Sequence, residues 1–145
     1  MNFPDSPVAA KARIESSEQA LQRTLPDARL QVTPLPTVEQ IQLALINADY
    51  QTGPLPADIM QAVIARPAYW AFCWGSGLAL ARWLLQNPGV VAGKRVADVG
   101  CGCGIGAIAA KMAGAREVIA CDNDQDALLS ARTNAALNNV SLAFA

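Results

Sequence analysis

At 145 residues the chain has the length of one modest domain, enough to bury roughly two-thirds of its unfolded surface. Hydrophobic residues make up 52%, and the net charge is −1, so the composition is globular and offers no basic surface for nucleic acid or anionic lipid. Histidine is absent, which excludes imidazole bases, His-ligated metals and Ser-His or Cys-His nucleophile pairs from this chain.

The opening MNFPDSPVAAKARIESSEQA has no basic start followed by an apolar core, so no secretion signal and no membrane partner are expected. Residues 5–26 predict a first helix, with Ser6 as N-cap and Pro7 in the first helical position. ARLQVTP (28–34) alternates apolar and polar residues as a short strand does. PTVEQIQLALINADY (36–50) predicts a second helix: Thr37 and Gln40 form a capping-box pattern, and Val38, Ile41 and Leu45 share a face. QTGPLP (51–56) is a turn-rich linker.

ADIMQAVIA (57–65) is a short helix that must stop at Arg66-Pro67, because the residue before a proline disfavours helical backbone. An aromatic stretch, YWAFCWGSG (69–77), leads into the helical LALARWLLQN, which ends at Asn87-Pro88-Gly89. From Arg95 the pattern becomes strand (RVADV), glycine turn, helix, strand (EVIAC), helix, and the start of a third strand (VSLAFA). Such alternation is the mark of a parallel α/β sheet with right-handed crossovers.

The turn DVGCGCGIG carries the chemistry. Gly102-x-Gly104-x-x-Ala107 satisfies a relaxed dinucleotide fingerprint, which would set a pyrophosphate on the following helix N-terminus. Asp98, two residues before Gly100, would add negative charge beside that anion, so a nicotinamide or flavin site is the weaker alternative. A ligand with positive charge and no phosphate fits the carboxylate better.

DVGCGCG resembles the acidic-x-Gly-x-Gly-x-Gly signature of class I S-adenosylmethionine-dependent methyltransferases. The resemblance implies an α/β, Rossmann-like fold, S-adenosylmethionine as cofactor, and a loop made by Asp98, Gly100, Gly102 and Gly104, with Gly106 a helix-packing residue. Asp122, at the end of the next strand and about 20 positions beyond the first glycine, is placed to accept the ribose hydroxyls; Asp124 reads as the N-cap of the next helix. NADYQTGPLP, PAYWAFCWGSGLALARWLLQNP and ARTNAALNNV are similar to bacterial electron-transfer-flavoprotein β-subunit lysine methyltransferases, and the glycine turn and Asn-rich helix end also resemble those of ribosomal-protein lysine methyltransferases. That similarity implies a protein-lysine acceptor. It also places Trp74 over the cofactor, with Gly75 and Gly77 permitting close approach and Ser76 capping the helix.

The expected organisation is a mainly helical extension (1–53), a helical segment with an aromatic loop (54–94), and the N-terminal half of a Rossmann-like cofactor domain (95–145). The family's later strands, with its acceptor-side residues, are not in the sequence, so the fold is expected to be cut short after its third strand begins. This leaves a non-catalytic cofactor-binding remnant or subunit open as an alternative. Cys101 and Cys103 suit a crowded turn better than a metal site. The four cysteines read as reduced thiols of a cytoplasmic protein. Asn134 and Asn138, one helical turn apart, read as packing or capping residues. The catalytic residues and the oligomeric state are not legible.

Overall fold

The computed structural model describes residues 7–50 and 53–145. Ser6, the expected first N-cap, and Gln51 and Thr52 of the linker lie outside the described residues. Helix α1 (Pro7–Gln22) opens at its proline, where a missing N–H costs nothing. Strand β1 (Leu30–Leu35) and strand β2 (Val38–Ile46) then form an antiparallel hairpin, with Leu30 opposite Ile46 and Thr33 opposite Leu43. Glu18 in α1 accepts the Leu30 N–H at 2.8 Å, tying the helix to the start of the hairpin.

The second helix expected over residues 36–50 is therefore a strand, and the extension is half hairpin. Thr37 is no N-cap: it sits in the turn with φ +65°. The apolar pattern misleads because β2 is buried on both sides at its centre. Ile41, Leu43 and Leu45 join one core cluster, while Ala44 joins the other. A strand covered on both faces loses its period-2 signature.

Helix α2 (Ala57–Ala65) ends at Arg66 as the following proline requires. A 3-10 turn at Tyr69–Ala71 precedes helix α3 (Gly75–Gln86), and a second one, at Pro88–Val90, follows it. Ser76 does not cap α3; the N-cap position is Trp74, with no side-chain cap bond.

The remaining chain builds a three-stranded parallel sheet in the order β3 (Arg95–Val99), β4 (Glu117–Cys121), β5 (Ala143–Phe144). Helix α4 (Ile105–Met112) and helix α5 (Gln125–Leu137) are the crossovers. Gly114 at φ +95° follows the end of α4, and Asn138 caps α5. Val96 packs against the core, whereas Arg95, Ala97 and Val99 are exposed, so β3 is both an edge strand and open on one face. Val99 is 82% exposed.

The hairpin and α1 dock on α5. Ser17 and Thr133, both buried, share a hydrogen bond of 2.9 Å. Arg23 and Arg66 converge on Asp126 at 2.6 and 3.0 Å, which places cations from two helix ends on a carboxylate in the first turn of α5. Opposite charges thus join the N-terminal elements to the sheet domain.

Candidate functional site

The site is the turn between β3 and α4. Its glycines Gly100, Gly102 and Gly104 adopt φ of 72°, 52° and 82°, a left-handed conformation that side chains resist. They serve different ends. A Cβ on Gly104 would lie 3.0 Å from the Cβ of Ala131, so this glycine lets the loop pack on α5. Gly100 and Gly102 have no atom within 4 Å of that position, and their backbone is bare toward open space. Gly106 clears room for a charge, since its Cβ would meet Asp98 Oδ2 at 3.0 Å.

Two carboxylates flank the bare backbone, one from each neighbouring strand tip. Asp98 Oδ2 accepts the Ala107 N–H at 2.8 Å, inside the first turn of α4. Burial pushes the Asp98 carboxyl above the usual range; the Ala107 hydrogen bond opposes this and the Asp122 charge adds to it. Asp122 Oδ2 accepts the Gly102 N–H at 2.9 Å, and its Oδ1 accepts the Asp124 N–H at 3.0 Å. Asp124 is the N-cap of α5, accepting the Asp126 N–H at 2.9 Å.

The turn's own backbone donors are largely committed. Gly100 and Cys101 donate to the Cys121 carbonyl at 2.8 and 2.9 Å, and Gly104 donates to the Cys101 carbonyl at 2.7 Å. With Gly102 on Asp122 and Ala107 on Asp98, five amides between residues 100 and 107 already have acceptors. A phosphate cradle needs such N–H groups aimed at its ligand. Here one N–H of the helix start, that of Ala107, is already taken by a carboxylate of the protein.

The cysteines are free thiols. Burial, then the charges of Asp122 and Asp98, push Cys101 up to about 12. Interaction with the Cys103 thiol holds Cys73 below its ordinary value, and the same interaction, with burial, pushes Cys103 well above its own. That contact brings the aromatic segment against the glycine turn. Gly77 does the same from α3: its Cβ would be 3.0 Å from Ile105 Cγ2, so its close approach is to α4.

Asp98, Gly100, Gly102, Gly104 and Asp122 thus meet at one turn. Trp74 lies in an aromatic cluster, its ring 5.9 Å from Tyr69 and 5.7 Å from Phe72, with Nε1 donating to the Tyr69 carbonyl at 2.9 Å. The ring is half exposed. Sequence reasoning missed the Cys73–Cys103 contact, which nothing local signals, and the use made of Asn134. This residue is wholly buried; its Oδ1 accepts the Ala44 N–H and its Nδ2 donates to the Cys103 carbonyl, each at 2.8 Å. None of the strand-tip residues lines the cleft of about 800 Å³ beside Asp27, Asn47 and Tyr50.

Comparison with known proteins adds an independent view. The family model of the ribosomal protein L11 methyltransferase (PrmA) matches residues 80–145. The chain is 52% identical over 73 residues to the electron transfer flavoprotein beta subunit lysine methyltransferase of Danio rerio, a match spanning 50% of this chain and 28% of that protein. It is 43% identical over 101 residues to the homolog of that enzyme in Caenorhabditis elegans, covering 70% of this chain and 40% of the relative. Among solved structures, the ribosomal protein L11 methylase of Lactobacillus delbrueckii subsp. bulgaricus is 37% identical, with a TM-score of 0.45 over 51% of this chain and 38% of that one. The chain spans well under half the length of each relative.

Proposed function

We propose that this chain, whose residues 80–145 are a PrmA-like methyltransferase segment, is the cofactor-binding portion of an S-adenosylmethionine-dependent methyltransferase that acts on lysine in a protein. The observation that carries the reading is the Asp98–Ala107 hydrogen bond. It spends the anion-attracting helix start on a carboxylate, leaving a negative site that suits an ammonium or sulfonium and repels a diphosphate.

The bare backbone at Gly100 and Gly102 fits a nucleoside lying flat against the turn. Asp98 would hold the amino-acid end of the cofactor, and Asp122 the ribose hydroxyls. Asp122 is pre-oriented for this by its two backbone donors, and each charge-assisted bond is worth about 1.5–3 kcal/mol. Trp74 is assigned a covering role at the edge of the site. When bound, S-adenosylmethionine supplies a methyl group on an already activated leaving group, so the protein's task is placement. A lysine acceptor must be neutral to react, and free lysine titrates near 10.4. A desolvating pocket or a base has to take that proton, and we assign it to no described residue. The lysine acceptor rests on the names of two relatives, the flavoprotein β-subunit lysine methyltransferase of Danio rerio and its Caenorhabditis elegans homolog. Four free thiols suit a reducing, cytoplasmic setting.

The test is differential protection against thermal unfolding. S-adenosylhomocysteine at a hundredfold excess over its Kd should stabilise the chain by about 2.7 kcal/mol, and NADH should leave it unchanged. Protection by NADH alone would overturn the reading.

A further inference from the structure

The geometry points to Asn134 as a positioning residue that makes the N-terminal hairpin part of the glycine turn's support. The inference rests on the cofactor reading above for its ligand arm, and on the fold alone for the rest.

Strand β2 has two edges. One pairs with β1, and the other faces α5, where no strand lies among the described residues. Two asparagines one turn apart on α5 take the place of a third strand. Asn138 accepts the Gln42 N–H at 3.0 Å and donates to the Gln42 carbonyl at 2.6 Å, a reciprocal pair like that between neighbouring strands. Asn134 accepts the Ala44 N–H at 2.8 Å. Its Nδ2 then points away from the hairpin to the Cys103 carbonyl, also at 2.8 Å.

The two residues therefore differ in one respect. Asn138 stays on the hairpin and on its own helix, whose Asn134 carbonyl it also reaches at 2.8 Å. Of the two, Asn134 is the one that also hydrogen-bonds to the turn. Its amide has a single useful orientation, because its acceptor side faces an N–H and its donor side a carbonyl. Cys103 lies between Gly102, held by Asp122, and Gly104, packed on Ala131. Asn134 and Ala131 thus hold the second half of the turn from α5, opposite the hold of Cys121 and Asp122 from β4.

Asn134→Asp is the informative change. It keeps size and the acceptor for Ala44, but removes the amide donor facing Cys103 and, at a pH where the new carboxyl is ionised, sets a repelling oxygen there. Amide hydrogen exchange of the full chain should show the turn, residues 100–107, opening roughly tenfold more. Affinity for S-adenosylhomocysteine should fall by a similar factor. Asn138→Ala, which strips the same strand edge, should lower stability yet keep both quantities within about twofold. Equal effects of the two variants on the turn, or none from Asn134→Asp, would overturn the inference.

If Asn134→Asp does not fold, the wild-type chain answers by reciprocity. S-adenosylhomocysteine should slow exchange of the Ala44 amide as well as the turn, and protection confined to the turn would refute the coupling. A chain that binds no S-adenosylhomocysteine refutes the cofactor reading, while the ligand-free exchange contrast between the Asn134 and Asn138 variants still decides the role of Asn134.

Discussion

Asp98 combines burial, a backbone donor and a neighbouring carboxylate, and burial dominates in raising its pKa. The sign of the consequence follows. A carboxyl whose pKa rises on folding holds more protons folded than unfolded between the two values. Its contribution to stability is complete at low pH and is lost as pH climbs through the folded value. A cationic ligand prefers the ionised form, so its binding expels the proton. Affinity for S-adenosylhomocysteine, which keeps the ammonium, should therefore rise with pH on the acid side by up to about tenfold per unit and then level off. Calorimetry in buffers of different ionisation heat should detect the released proton, and Asp98→Asn should abolish the dependence while keeping an acceptor for Ala107. The glycine spacing and the two aspartates were readable because each is a local demand on backbone or charge. The function of Asn134 was not, since its partners lie 90 and 31 residues away.

Among the elements, α2, α3, β3, α4, β4 and α5 all follow from local signals: prolines and asparagines at helix ends, glycine at a turn, short apolar strands. The hairpin shows where such signals fail. Val38, Ile41 and Leu45 satisfy a helical stripe, and Thr37 with Gln40 mimics a capping box. What decides for a strand is the presence of β1 on one side and the α5 asparagines on the other, both remote information. The two structures of this segment make different demands on Leu43, which falls outside the helical stripe but is fully buried in β2. Leu43→Ala should cost about 2–5 kcal/mol, as much as Ile41→Ala, whereas exposed Gln40→Ala should stay within about 0.5 kcal/mol. Urea denaturation of the three variants measures this; an indifferent Leu43 would argue for the helix.

Across the described residues taken together, the parallel sheet ends in β3, a short edge strand with apolar Val99 at its tip. Parallel sheets are ordinarily covered on both faces, and an uncovered edge pairs with whatever strand it meets. The isolated chain should therefore self-associate with rising concentration in sedimentation velocity runs. Val99→Lys should reduce that association without lowering the unfolding midpoint, because the substituted side chain is already in water. A wild-type chain that stays monomeric at high concentration would contradict this.

The asparagine brace on β2 also has a consequence for biosynthesis. Ala44 leaves the ribosome 90 residues before Asn134, a delay on the order of 5–20 seconds at ordinary rates of translation. Throughout that interval the nascent hairpin has one ladder of amides with no partner, and α1 has no Thr133 to meet. The hairpin thus waits for a helix some 90 residues further along the chain, with that edge open to its neighbours on the polysome in the meantime.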